Sequence, residues 1–155
     1  MIRKANFEDK EQIVRLFKQL HQYHCQISPQ KHIMPREGFF EERISELLTE
    51  NAENSPIILI NDDGAVNAYA LLRIIDVNGE EKVSRKVCFI DCFGVDERER
   101  RKGIGKRLFE GVREYAVTRG CNAIQLGVDT ANENARAFYE KIGLLPRTII
   151  MAQNI

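Results

Sequence analysis

The succession of periodicities between residues 86 and 128 constrains the fold more than anything else in the chain. KVCFIDCFGV (86–95) is apolar and β-branched enough to read as a strand. Past residue 100 the period becomes helical, with Ile104, Leu108, Val112, Tyr115 and Ala116 on one side and Gly120 suited to the helix end. NAIQLGV (122–128) then returns to strand. Two strands joined through a helix are expected to lie parallel, with a right-handed crossover. The class is therefore α/β.

The flanks extend this unit into a mixed sheet. A short strand is expected near Ile2–Lys4. Asp9 followed by Gln12 gives a capping-box signal for a helix with Ile13, Leu16, Phe17 and Leu20 at helical spacing. CQISPQKHIMPREG (25–38) reads as a loop broken by Pro29 and Pro35, and a second helix carries Phe40, Ile44, Leu47 and Leu48 on one face. From Pro56, the runs IILI and AVNAYALLRII lead into 86–95 as an antiparallel meander, with turns at Asn61-Asp62-Asp63-Gly64 and Asn78-Gly79. NENARAFYEKIG (132–143) is a short helix with Ala135, Phe138 and Ile142 inward, and PRTIIMAQ (146–153) is expected to close the sheet as a last strand. The predicted order is βααβββαβαβ: a mostly antiparallel sheet with a parallel central pair, flanked by about four helices. No repeat or linker divides the chain, so residues 1–155 are expected to form a single domain.

Composition excludes several classes. Twenty-three basic and 23 acidic residues cancel to a formal net charge of zero, which argues against a surface built for polyanions, so no nucleic-acid partner is expected. No apolar run approaches a membrane span, and MIRKANFEDKEQ turns charged where a leader would need its apolar stretch, so a cytoplasmic protein without a membrane partner is expected. Cys25, Cys88, Cys92 and Cys121 form no CxxC pair and carry no metal-ligand spacing, so neither a disulfide nor a metal is expected.

The most unusual stretch is RRKGIGKR (100–107), lying between the strand that ends at Val95 and the helix that starts near Gly103. A helix start leaves backbone N–H groups unpaired and a positive dipole end, both favourable to an anion. Glycines there permit positive φ and let a phosphate approach the backbone. Arg100, Arg101, Lys102, Lys106 and Arg107 add attraction. A Walker loop is excluded because no Lys-Ser/Thr pair follows the glycines. The GxGxxG pattern fails because Leu108 stands at its third glycine. A solvated basic turn is the competing interpretation, and the strand–turn–helix context favours anion binding.

Two motifs together carry a resemblance. Arg100-Arg101-Lys102-Gly103-Ile104-Gly105 resembles the (Gln/Arg)-x-x-Gly-x-(Gly/Ala) hallmark of the GNAT superfamily of N-acetyltransferases, and Asn132, Ala135, Phe138, Tyr139 and Gly143 resemble its later Asn-x-x-Ala-x-x-(Leu/Phe)-Tyr signature. The motifs cover about residues 88 to 145. Leu144 stands where the family commonly has Phe, a change expected to affect packing only. The resemblance implies the GNAT fold, with residues 1–75 as the acceptor-side half and 82–155 as the acetyl-CoA-binding half. It also implies acetyl-CoA as donor substrate and no metal. The backbone amides of Arg100, Arg101, Lys102, Gly103, Ile104, Gly105 and Lys106 would seat the CoA pyrophosphate. Phe93, Gly94 and Val95 would pair through their main chain with the pantetheine arm, Gly94 marking a bulge, and the Val95 N–H would meet the thioester oxyanion. Asn132 would touch the CoA arm.

By the same resemblance Tyr139 would be the general acid for the leaving thiolate; packing beside Phe138 is its structural alternative. Asp91 lies four residues before Val95, and strand alternation is expected to put Asp91, Phe93 and Val95 on one side. Its proposed role is to attract the cationic amine while water relays the proton, against the alternative of a solvated or salt-bridged acid. His21, His24 and His32 would line the acceptor pocket rather than hold a metal. Cys92, on the side opposite Asp91, is not expected to be a nucleophile. The expected reaction is direct acetyl transfer to a primary amine in a ternary complex; the alternative is a non-catalytic acetyl-CoA sensor. The acceptor is an amine-bearing small molecule or protein amino group, and a homodimer through the last strand is a possible assembly.

Overall fold

The structure is a computed structural model that describes residues 1–50 and 55–155. Five strands, β1 (Ile2–Lys4), β2 (Ile57–Asp62), β3 (Val66–Val77), β4 (Arg85–Val95) and β5 (Ala123–Leu126), form one sheet in sequence order. The first three junctions are antiparallel and β4–β5 is parallel, as the intervening helix requires. Helices α1 (Lys10–Ile27) and α2 (Phe39–Thr49) precede β2, α3 (Ile104–Thr118) joins β4 to β5, and α4 (Glu133–Lys141) follows.

The core lies in two layers, one on each face of the sheet. Ile13, Leu16 and Phe17 of α1 and Phe40, Ile44 and Leu47 of α2 pack with Ile58, Ile60, Tyr69 and Leu71. Leu108, Phe109 and Val112 of α3 pack with Leu59, Ala70, Leu72, Cys88 and Ile90. The alternation of inward residues along β2 and β3 is thus shared between the two layers, as a central strand covered on both faces requires.

Two expectations are corrected. The cap before α1 sits three residues earlier than Asp9 and Gln12 predicted. Asn6 caps a 3₁₀ turn (Phe7–Asp9), accepting from the Glu8 N–H, while the Asp9 carboxylate accepts from the Asn6 N–H at 2.9 Å. Asp9 is buried and held by Arg3 through two 2.8 Å contacts, and Gln12 accepts from the Val66 N–H at 2.9 Å instead of capping. The predicted last strand is the second correction. Residues 146–153 pair with no strand among the described residues, and Ile149, Ile150 and Met151 are 77, 90 and 87% exposed. A β-prone run becomes a strand only when an edge accepts its hydrogen bonds, and within this chain it meets none.

Candidate active site

The β4–β5 ladder is short, running from Val87 opposite Ala123 to Ile90 opposite Leu126, whereas β4 continues to Val95. The ladder stops at a bulge. Leu71 faces Cys92 while Leu72 faces Ile90, so Asp91 is an extra residue of β4 that bends the strand. The bulge was expected at Gly94, which instead stays in register opposite Tyr69. Glycine is required there for space: a Cβ on Gly94 would lie 2.6 Å from Tyr69 Cε1.

Beyond the bulge, the direction of the main chain follows from one bond. The Asp96 N–H donates to the Asn67 carbonyl at 2.8 Å, which makes Asn67/Asp96 and Tyr69/Gly94 the hydrogen-bonded pairs of the β3–β4 ladder. Phe93 and Val95 lie between them, opposite Ala70 and Ala68, and so turn their N–H and C=O groups away from β3 toward the side β5 has vacated. Arg100 Nε donates to the Val95 carbonyl at 3.3 Å on that side. A short stretch of strand edge thus stands open, as an amide-bearing arm would need.

At the end of this edge the chain enters the glycine turn. Arg101 and Gly103 both have positive φ, 63° and 79°, and Gly103 is the N-cap of α3. A Cβ on Gly103 would meet no atom within 4 Å, so glycine is needed there for its dihedral alone. Gly105 serves contact: its Cβ would sit 3.3 Å from the Phe138 ring and 3.6 Å from Val95 Cγ2. The first intrahelical donor is the Arg107 N–H, to the Gly103 carbonyl, and the N–H groups of residues 100–106 find no acceptor among the described residues. Seven consecutive donors at the positive end of a 15-residue helix fit a pyrophosphate. The cations are partly committed elsewhere: Lys102 pairs with Glu99 at 3.0 Å, Arg107 with Asp63 at 2.9 Å, and Arg100 lies over the Tyr23 ring.

Helix α4 brings the second motif to the open edge. Phe138 and Tyr139 both contact the Phe93 ring, with centroids 5.8 and 6.1 Å away. Burial, and secondarily the nearby Cys92, pushes the Tyr139 phenol above its ordinary range, so it stays protonated at neutral pH. Asn132 is buried as the N-cap of α4, accepting from the Ala135 N–H at 3.2 Å and standing 3.5 Å from the Tyr23 hydroxyl. Tyr23 was not singled out in the sequence; its ring joins Asn132 to Arg100 across the cleft.

Asp91 is bound in a two-point ion pair with Arg73, at 2.5 and 2.6 Å. The bulge breaks the alternation expected to align it with Phe93 and Val95: these two pack in the α3-side layer, while Cys92 packs against the α1/α2 layer. Burial raises the Cys92 thiol to about 11, so it is protonated and weakly nucleophilic. His21, His24 and His32 cluster where α1 meets the following loop, with ring centroids 5.4 and 5.9 Å from His32, and His21 Nε2 lies 2.7 Å from the Ile33 carbonyl. Burial and the other two rings lower the His24 pKa, so His24 favours the neutral imidazole. Among the described residues no group of three or more His, Cys, Asp or Glu side chains is arranged to hold a metal ion. No described helix is long and apolar enough to cross a membrane.

The profile of the acetyltransferase (GNAT) family matches residues 13–144. The chain belongs to the GNAT family. It is 30% identical over 144 residues to the uncharacterized N-acetyltransferase YhfO of Bacillus subtilis (strain 168), covering 92% of this chain and 87% of that protein. Its fold matches a crystal structure of a mutant of the BH1408 protein from Bacillus halodurans at TM-score 0.91, with 25% identity over 100% of this chain and 99% of that one. The aminoglycoside N-acetyltransferase AAC(6')-Iy in complex with CoA shares the fold at TM-score 0.77 and 20% identity, over 99% of this chain and 93% of that one. This GNAT chain is an acetyl-CoA-dependent acyltransferase.

Proposed function

We propose that the protein moves the acetyl group of acetyl-CoA to a primary amine by direct transfer in a ternary complex. The observation that carries this reading is the continuity of the open β4 edge with the row of free amides: Phe93 and Val95 face the vacated side, and residues 100–106 follow with no acceptor among the described residues. Phe93, Gly94 and Val95 would hold the pantetheine arm and residues 100–106 the pyrophosphate, with Asn132 and Tyr23 beside the arm. Tyr139, protonated and next to Phe93, serves as the acid that protonates the departing thiolate. Asp91, oriented by Arg73, draws in the ammonium, and the amine proton leaves through water. His21, His24 and His32 would form part of the acceptor wall.

Thiol release from acetyl-CoA in the presence of a panel of polyamines, aminoglycosides, amino-acid derivatives and amino-terminal peptides tests the assignment. Saturable, amine-dependent release supports it; tight acetyl-CoA binding with no release on any amine would favour the sensor. In the cell the enzyme is assigned to the cytoplasm. We further read the assembly as a homodimer in which the exposed 146–153 run of one copy lies on the uncovered β5 edge of another. Light scattering should give twice the 17.9 kDa chain mass, and Ile150→Glu should return it to one. A monomeric parent at micromolar concentration would refute the dimer.

A further inference from the structure

Among the described residues Tyr69 is the largest fully buried side chain, at 0% exposure, and its hydroxyl finds no hydrogen-bond partner there. A phenol buried without a partner loses its water bonds and regains nothing, so such a group needs another reason to persist. Phenylalanine would fill the same space without that cost. The ring is fixed on both faces: Phe17 stacks on it at 4.3 Å and 21°, and Gly94 lies beneath it. Of the ring carbons, Cε1 and Cζ lie nearest the Gly94 position, so the hydroxyl end reaches across β4 at the residue between Phe93 and Val95. Burial acts most on its ionisation, followed by Cys92, which lies on β4 two residues before Gly94, and by Tyr139 from α4. A glycine opposes it on β4, which leaves room for the ring beside the strand.

We propose that Tyr69 is a further catalytic residue, whose hydroxyl donates a hydrogen bond to the thioester carbonyl oxygen of acetyl-CoA. This rests on the acetyl-transfer reading above and deepens it. When the amine nitrogen bonds to the acyl carbon, the carbonyl π pair moves onto oxygen, and the Tyr69 O–H stabilises that charge without giving up its proton. The C–S bond then breaks, the thiolate takes the Tyr139 proton, and the proton lost from nitrogen passes to water, from which Tyr139 is recharged. The two phenols divide the work: one binds the oxygen, the other protonates the sulfur. Burial keeps Tyr69 protonated well past neutral pH, as a donor must be.

The test is Tyr69→Phe, which keeps the ring and removes the unpartnered hydroxyl. With an amine substrate, kcat is expected to fall about 10²-fold with the amine KM unchanged, the size of losing one oxyanion donor. By calorimetry, acetyl-CoA affinity should fall about fivefold, as for one neutral hydrogen bond, while CoA affinity is unchanged because CoA lacks the carbonyl. The melting temperature should hold or rise, whereas a structural role would lower it and weaken both ligands alike. Unchanged kcat and an unchanged ratio of acetyl-CoA to CoA affinity overturn the proposal, as does a parallel loss of both ligands. If none of the amines makes the parent protein release thiol, the acetyl-transfer reading fails, and the affinity ratio alone then decides the contact with the carbonyl.

Discussion

Placing a methyl group on Gly94 probes the most crowded contact in the site. An alanine Cβ would stand 2.6 Å from Tyr69 Cε1 and 3.2 Å from Cζ. Ordinary carbon contacts are about 3.5–4.0 Å, so the overlap approaches about 1 Å. The Tyr69 ring has little room to yield, because Phe17 is stacked on its other face at 4.3 Å and the ring is buried. The strain therefore falls on the β3–β4 ladder. Overpacking of this kind costs about 1–3 kcal/mol. Alanine recovers about 0.5–1 kcal/mol of chain entropy relative to glycine in a strand. Gly94→Ala should thus be destabilised by about 1–2 kcal/mol, read as a lower urea midpoint at constant slope. In a Tyr69→Leu background the obstructing ring is gone, and the same alanine should be neutral or stabilising. The resulting coupling in the double-mutant cycle should exceed about 1 kcal/mol. A Gly94→Ala protein as stable as the parent, or a coupling near zero, would refute the close packing of Tyr69 on β4.

Gly103→Asp should abolish acetyl-CoA binding by calorimetry, since a carboxylate replaces open space at the turn and the φ of 79° adds strain; retained affinity would sink the pyrophosphate seat. Tyr139→Phe should leave CoA affinity nearly intact and lower kcat, and an unchanged kcat would remove Tyr139 as the acid. Asp91→Asn should raise the KM for cationic amines more than it lowers kcat, whereas a direct base would show the reverse. Stability should also follow the paired carboxylates. Arg3 lowers the pKa of Asp9, and Asp63 and Asp129 lie at about 2 through the amino terminus and Lys31. Groups depressed in the folded state stabilise it above their unfolded value of about 4 and lose that contribution as pH falls through the folded one. The melting temperature should slip as pH falls below about 6.5, where the unfolded chain protonates His24 more readily than the folded one does, and decline further between about 4 and 2; Arg3→Ala should lower stability at neutral pH by about 2 kcal/mol and flatten the acid limb.

What could be read from the sequence divides by the range of the interaction that decides it. Helical and strand periods are local, and Ile13, Leu16 and Phe17, or Ile104, Leu108 and Val112, lie in the core as their spacing predicted. The turn was legible for the same reason: Gly103 and Gly105 advertise a backbone requirement within six residues, although the two glycines answer different needs. The bulge was not legible, because it is a mismatch between β3 and β4, and Gly94, the visible irregularity, is a matter of packing against a residue 25 positions away. The 146–153 run has strand propensity, but propensity says nothing about whether an edge is available. Tyr69 was hidden among apolar neighbours in AVNAYALLRII, where its hydroxyl gave no periodic signal. Arg73 was likewise invisible as the partner of Asp91, since only the register brings them together.

The surplus residue at position 91 sets the width of the cleft by counting alone. Upstream of it, β4 is occupied on both sides, by β3 and by β5; downstream, the same strand has one side to spare. Removing Asp91 would restore an even ladder with Cys92, Phe93, Gly94 and Val95 still opposite Leu71, Ala70, Tyr69 and Ala68, so the amides of Phe93 and Val95 would still point away from β3. What would go is the bend that carries β4 clear of β5. Removing Gly94 instead would set a side chain, that of Phe93 or Val95, opposite Tyr69. β4 should therefore keep its pairing with β3 when Asp91 is deleted and lose it when Gly94 is.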